Sequence, residues 1–183
     1  MTENLTPTEI EDIYRLHLMV RQANDINHKC SEDELKKCSI TPEQASALIS
    51  IHSLGKEATP ANVSRWLTRE PHSILIILRR MRKMGLIEME PHQKNKHMFR
   101  ISLTKTGREA YLNAIKLSSV VDIFSILPRE ERQYLFYLLK KIRNESLRLM
   151  NLDVRYCDKL GETFKLPVIE GKKVKRSLKE SKK

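Results

Sequence analysis

A chain of 183 residues is long enough for one compact domain, or two closely integrated lobes, with a proper core. Its 40% hydrophobic and 31% charged residues describe a helix-rich globular protein; only 5 glycines argue against an all-β fold, and a net charge of +11 points toward a polyanionic partner. No run approaches the roughly 18–20 apolar residues of a membrane span, and Glu3, Glu9, Glu11 and Asp12 do not suit a secretory leader, so the expected location is the cytoplasm.

Residues 8–29 read as a helix. Ile10, Ile13, Tyr14, His17 and Val20 recur at three- and four-residue steps, and Leu16, Leu18 and Met19 widen the apolar face toward more than one neighbour. The polar, irregular stretch 30–40 is expected as a loop. Thr41-Pro42-Glu43-Gln44 then starts a second helix, with Thr41 as cap, Pro42 at the first helical position and Gln44 completing a capping box. It carries Ala45, Leu48, Ile51 and His52 and stops at Gly55. Thr59-Pro60 repeats the start signal for a short helix containing Val63, Trp66 and Leu67. Arg69-Glu70-Pro71 turns into a further helix over about 71–84, closed by Gly85.

Two short strands follow, Leu86 to Glu90 and Phe99 to Leu103. In the second, Phe99, Ile101 and Leu103 alternate with Arg100 and Ser102, the period-two pattern of a half-buried strand. The polar stretch 91–96 joins them as a loop with Lys94 and Lys96 near its tip. Thr104 caps a helix expected to run to about Leu127, where Pro128 breaks it. A last helix carries Leu135, Leu138, Leu139, Ile142 and Leu149 along one face. From about 160 the chain is Lys-rich and aperiodic, and a disordered tail is expected there.

The basic residues are unevenly spread. Residues 69–105 hold nine Lys/Arg against three acidic residues, and residues 165–183 hold eight against two. Short helices followed by a β-hairpin with a basic tip define a winged helix-turn-helix. The predicted fold is therefore mainly α with a small β-hairpin wing, flanked by long apolar helices at both ends.

Other chemistries find no support in the sequence. There is no Gly-rich phosphate loop, no G-x-S-x-G, no H-E-x-x-H and no Cys-x-x-Cys, so the chain is expected to be no enzyme and to hold no cofactor. Cys30, Cys38 and Cys157 are an odd set without zinc-ligand spacing. Reduced thiols in or near a loop are the simpler reading, and a redox-sensing pair of Cys30 and Cys38 the alternative. His17, His28, His52, His92 and His97 are scattered without an H-x-x-x-H pair, so no metal is expected.

Over residues of about 8–150 the sequence resembles the MarR family of regulators. Thr41-Pro42-Glu43-Gln44-Ala45 with Leu48, and Thr59-Pro60-Ala61-Asn62-Val63-Ser64-Arg65-Trp66-Leu67, are similar to its second and third helices. Leu78-Arg79-Arg80-Met81 followed by Met84-Gly85-Leu86-Ile87 is similar to the end of its recognition helix entering the first strand. Leu103-Thr104-Lys105-Thr106-Gly107 resembles its L-T-x-x-G step, and Leu127-Pro128-Arg129-Glu130-Glu131 the start of its last helix. The resemblance implies a homodimer held by the first and last helices, binding to a short inverted repeat in double-stranded DNA, and affinity altered by a small-molecule effector or an oxidant. The chain departs from the family at Arg79, where an acidic residue is common, and at Asn95 and Lys96, where an Asp-Arg pair is common.

These readings assign residues 1–40 to an N-terminal dimerisation helix and loop and 41–107 to the DNA-binding domain. Residues 108–159 form C-terminal dimerisation helices, and 160–183 the basic tail. On the helix over 71–84, Ile74, Ile77, Leu78 and Met81 should pack inward. His72, Ser73, Leu75, Ile76, Arg79, Arg80 and Lys83 form the opposite face: His72 and Ser73 suit base edges or phosphates, Leu75 and Ile76 thymine methyl groups, and Arg79, Arg80 and Lys83 phosphates or a guanine edge. Ser64 and Arg65 on the preceding helix are candidates for phosphates, and Lys94, Asn95 and Lys96 on the wing for the backbone or minor groove. The expected function is a sequence-specific regulator, a repressor in its simplest form. A winged-helix protein-interaction module docking through Leu75 and Ile76 stays open beside it, as does non-specific architectural DNA binding dominated by the tail.

Overall fold

The computed structural model describes residues 5–92 and 95–152, and the side chains of all of these except 92–98. In chain order the elements are α1 (Pro7–Lys37), α2 (Pro42–Leu54), a 3-10 turn (Gly55–Glu57), α3 (Pro60–Leu67), α4 (Pro71–Lys83), β1 (Ile87–His92), β2 (Asn95–Leu103), α5 (Lys105–Ala114), α6 (Ser118–Ser125) and α7 (Arg129–Leu149). The expected tail and Cys157 lie outside the described residues.

The core gathers around α2, whose Ala47, Leu48, Ser50 and Ile51 are buried and which touches α1, α3, α4, α5 and β2. Ile74, Leu78 and Met81 of α4 reach it as expected, with Ile77 half-buried against it. Trp66 of α3 is part of the same core. The ring of His52 stacks on Tyr111 of α5 at 4.1 Å between centroids. Strands β1 and β2 pair antiparallel from Ile87↔Leu103 to His92↔Asn95, and the Ile101 amide donates to the Ala58 carbonyl at 2.8 Å, tying the hairpin to the segment that leads into α3; α2 to β2 are called the head below.

The capping signals act as the sequence suggests. Thr41 and Gln44 make a reciprocal capping box, Thr59 accepts from the Asn62 amide, and Gly55 (φ 51°) and Gly85 (φ 69°) close their helices in the left-handed region. The L-T-x-x-G step is a junction of three elements. The Thr104 hydroxyl donates to the Gly85 carbonyl at 2.6 Å and accepts from the Gly107 amide at 2.9 Å. Gly107 lies against the Leu86 backbone so closely that a Cβ there would stand 1.8 Å from the Leu86 carbonyl oxygen.

Three expectations are corrected. Residues 30–37 are helix, not loop: α1 continues to Lys37, so Cys30 is helical and Cys38 is its C-terminal cap residue, both exposed. Polarity misled here, because Lys36 pairs with Glu32 one turn back at 3.1 Å while Leu35 drops into the core. The helix expected from Thr104 to Leu127 is two, α5 and α6. The break at Ile115–Leu117 is held by Glu34 of α1, whose carboxylate accepts the Ser118 and Ser119 amides at 2.8 and 2.7 Å and so caps α6 from another element. The wing loop is shorter than 91–96, since pairing reaches His92 and Asn95. An additional start signal, Thr6-Pro7 with Glu9, makes a capping box for α1.

Two predictions follow from these junctions. Gly107→Ala forces its methyl into a backbone carbonyl, and should destabilise the fold by about 2 kcal/mol or more in urea denaturation; an unchanged midpoint would show that the junction relaxes freely. The bonds from Ser119, with those from Ser118 adding to them, hold the Glu34 carboxyl down from its ordinary 4.5 to about 2. A depressed carboxylate stabilises the fold above its unfolded pKa, so the contribution is lost as pH falls from 4.5 toward 2. Hydrogen exchange at the Ser118 and Ser119 amides should accelerate across that window relative to α2. Glu34→Gln should show the faster exchange already at neutral pH.

Candidate nucleic-acid interface

Helices α3 and α4 meet at a three-residue turn, Thr68 to Glu70. Thr68 takes the left-handed conformation (φ 52°, ψ 45°) that reverses the chain. Ser64 fastens the turn: its hydroxyl donates to the Arg69 carbonyl at 2.6 Å, and the Arg69 amide donates to the Ser64 carbonyl at 3.0 Å. Ser64 is only 6% exposed. It therefore positions α4 from inside the head, and the expectation of an open phosphate contact at Ser64 is corrected. Arg65, one residue on, is exposed, with Nη1 donating to Asn62 Oδ1 at 3.3 Å.

Pro71 starts α4, and no side chain caps that helix. Its outer face brings His72, Ser73, Ile76, Arg79, Arg80 and Lys83 together as exposed residues, while Leu75 is half-buried at its edge. Arg82 is also exposed on this helix and Arg100 on β2, the latter at the Cα register of Glu90. Neither is among the residues singled out from the sequence, although Arg82 lies one turn beyond Arg79 and Arg100 on the polar phase of the β2 alternation. Asn95 and Lys96 begin β2, which places their backbone at the tip end of the hairpin; their side chains and Lys94 lie outside the description.

A cavity of about 580 Å³ opens between the α3–α4 turn and the end of α7. Arg65, Thr68, Arg69 and Pro71 line it from the head, and Leu147, Met150 and Leu152 from α7 and the residues after it. Leu147 is the one buried residue of α7. Arg69 thus belongs both to the turn and to the cavity wall, a role invisible in a sequence where it reads as turn punctuation alone.

Beyond the head, large apolar side chains stay uncovered within one chain. They include Ile13, Tyr14, Leu16 and Met19 on α1, Val121 and Phe124 on α6, and Tyr134, Phe136, Leu139 and Ile142 on α7. α7 leaves the α5–α6 direction at 103°. Among the described residues no single helix is long and apolar enough to cross a membrane, and no cluster of three or more His, Cys, Asp or Glu has metal-binding proximity.

Residues 40–107 match the family described as winged helix DNA-binding domain. No curated protein matches the sequence. Solved structures do. The organohalide-sensing RdhR transcriptional regulator in its 2,4-dichlorophenol-bound form is 28% identical with a TM-score of 0.66, over 81% of this chain and 90% of that one. A mutant of MarR from E. coli complexed with operator DNA gives a TM-score of 0.64 at 22% identity, over 72% and 95%. Reduced AbfR bound to DNA gives 0.62 at 20%, over 78% and 99%. Residues 40–107 thus form a winged-helix domain, with the α3–turn–α4 unit and the β1–β2 wing as its parts. Over 81% and 72% of its length, respectively, the chain shares the fold of RdhR and of MarR.

Proposed function

We propose that this protein is a homodimeric, sequence-specific regulator of transcription that binds an inverted repeat in double-stranded DNA and acts as a repressor in the cytoplasm, on the nucleoid. The observation that carries the reading is the outer face of α4, where Arg79, Arg80 and Lys83 stand exposed on the helix that a winged-helix frame presents to the major groove. MarR and AbfR, of the same fold, have structures in complex with DNA, which supports the assignment.

In this reading His72 and Ser73 meet base edges or phosphates at the start of α4, and Arg79, Arg80 and Lys83 hold the phosphate rails or a guanine edge. Leu75 contributes at the rim, Arg65 reaches a phosphate from α3, and Lys94, Asn95 and Lys96 carry the wing to the backbone or minor groove. The basic tail adds salt-sensitive, sequence-independent affinity. Residues 41–107 are the reading head, and residues 1–40 and 108–159 form the dimer through α1, α6 and α7. A repressor needs no further contact, because a dimer on a promoter blocks polymerase by occupancy.

A small-molecule effector fits the same scheme. The cavity joins the α3–α4 turn to the end of α7, so a ligand that prefers one separation of head and α7 would change the distance between the two reading heads. RdhR, crystallised with a dichlorophenol, offers a precedent for a small ligand on this fold.

Selection of bound duplexes from a random library near 0.15 M salt tests the reading. An inverted repeat with half-sites about one helical turn apart is the expected result. Recovery of no motif, with binding lost as salt rises or residues 165–183 are removed, would favour architectural binding or protein docking instead. Replacing both Arg79 and Arg80 with Ala should abolish binding to the selected duplex and leave the oligomeric state unchanged; retained affinity would refute the docking face. Sedimentation should find a dimer whose melting temperature rises with protein concentration. Leu139→Glu with Ile142→Glu, one turn apart on α7, should dissociate it. A dimer that survives both charges would move the interface elsewhere.

A further inference from the structure

The outer face of α4 has an apolar centre. Ile74, Leu78 and Met81 are fully buried, Leu75 and Ile77 are half-buried, and Ile76 is the one large apolar side chain of the helix that stands exposed, at 38%. Helical spacing sets it one turn from His72 and Ser73 on one side and from Arg79 and Arg80 on the other, all four exposed. A β-branched hydrocarbon is thus ringed by groups suited to phosphates and polar base edges. Ile76 itself has nothing to offer either of those. Of the groups a major groove displays, the thymine C5 methyl is the apolar one.

We propose that Ile76 packs on a thymine methyl in each half-site, so that the operator carries an A·T pair opposite the middle of α4. This rests on the DNA-binding reading above and adds to it the base that the helix selects. Arg79 and Arg80 match the phosphates along the groove, and His72 and Ser73 can bond phosphates or base edges, which favours duplex DNA over a protein as the occupant of this face.

The test uses the full chain and the duplex recovered by selection. Each thymine is replaced in turn by deoxyuridine, which removes only the methyl, and binding is followed by fluorescence anisotropy. One thymine per half-site should weaken binding about fourfold when replaced, the transfer value of a methyl group. Replacing both should cost roughly fifteenfold if the half-sites act independently. With Ile76→Ala the thymine-to-uracil ratio should fall to about one at that position alone, whereas Ile76→Val should keep most of it. At 38% exposure Ile76 is still partly packed on its own chain, so Ile76→Val should melt close to the parent, and the thymine-to-uracil ratio, taken within each variant, is unaffected by a modest loss of stability in Ile76→Ala. A duplex in which no thymine is sensitive, or a sensitivity that survives Ile76→Ala, would overturn the assignment while leaving the DNA-binding reading intact. A full chain that selects no duplex motif would remove that reading and this inference with it.

Discussion

The Thr104 hydroxyl and the bare α-carbon of Gly107 hold the reading head together at one point. The hydroxyl is shared between the end of α4, through the Gly85 carbonyl, and the start of α5, through the Gly107 amide. The absence of a side chain at Gly107 lets α5 rest directly on the Leu86 backbone, where the first strand leaves the helix. Helix α4, the β1–β2 hairpin and α5 therefore have one relative arrangement. Any orientation of α4 toward a groove inherits that arrangement, as does the wing's reach, since Ile101 is bonded back to Ala58 ahead of α3.

Around this fixed head the burial of apolar surface divides sharply. Within the head, α2 is surrounded and its apolar side chains are hidden. On α1, α6 and α7, by contrast, most large apolar side chains face outward, and α1 and α7 each contribute a single buried residue, Leu35 and Leu147. Hydrocarbon left in water on this scale is a strong drive toward association. The proposed dimer is therefore coupled to the stability of the outer helices themselves, since helices that bury so little within their own chain gain most of their stability from a partner.

Most of the head was legible in the sequence because its signals are local. Thr41-Pro42 with Gln44, Thr59-Pro60, Gly55, Gly85 and the alternation from Phe99 to Leu103 each fix a boundary by short-range chemistry. What escaped was set by distant partners. The last eight residues of α1, 30–37, look like a polar loop until Leu35 is seen to anchor them, and the continuous helix expected after Thr104 is interrupted because Glu34, more than eighty residues earlier, caps the Ser118 and Ser119 amides. The candidate interface divides in the same way. The basic face of α4 follows from helical period, whereas the withdrawal of Ser64 into the turn depends on the backbone carbonyl of Arg69, which no spacing rule encodes.

The placement of the anchors on α1 has a mechanical side. Its 31 residues make a rod about 46 Å long, yet Leu35 and Glu34 tether it within its last turn. Such a rod behaves as an oar in a rowlock: each degree of tilt at the tether sweeps the far end by about 0.8 Å. Small adjustments where Glu34 meets α6 are thus magnified at the other end of the rod. The reverse also holds, and whatever grips the blade sets the angle of the handle with little slack.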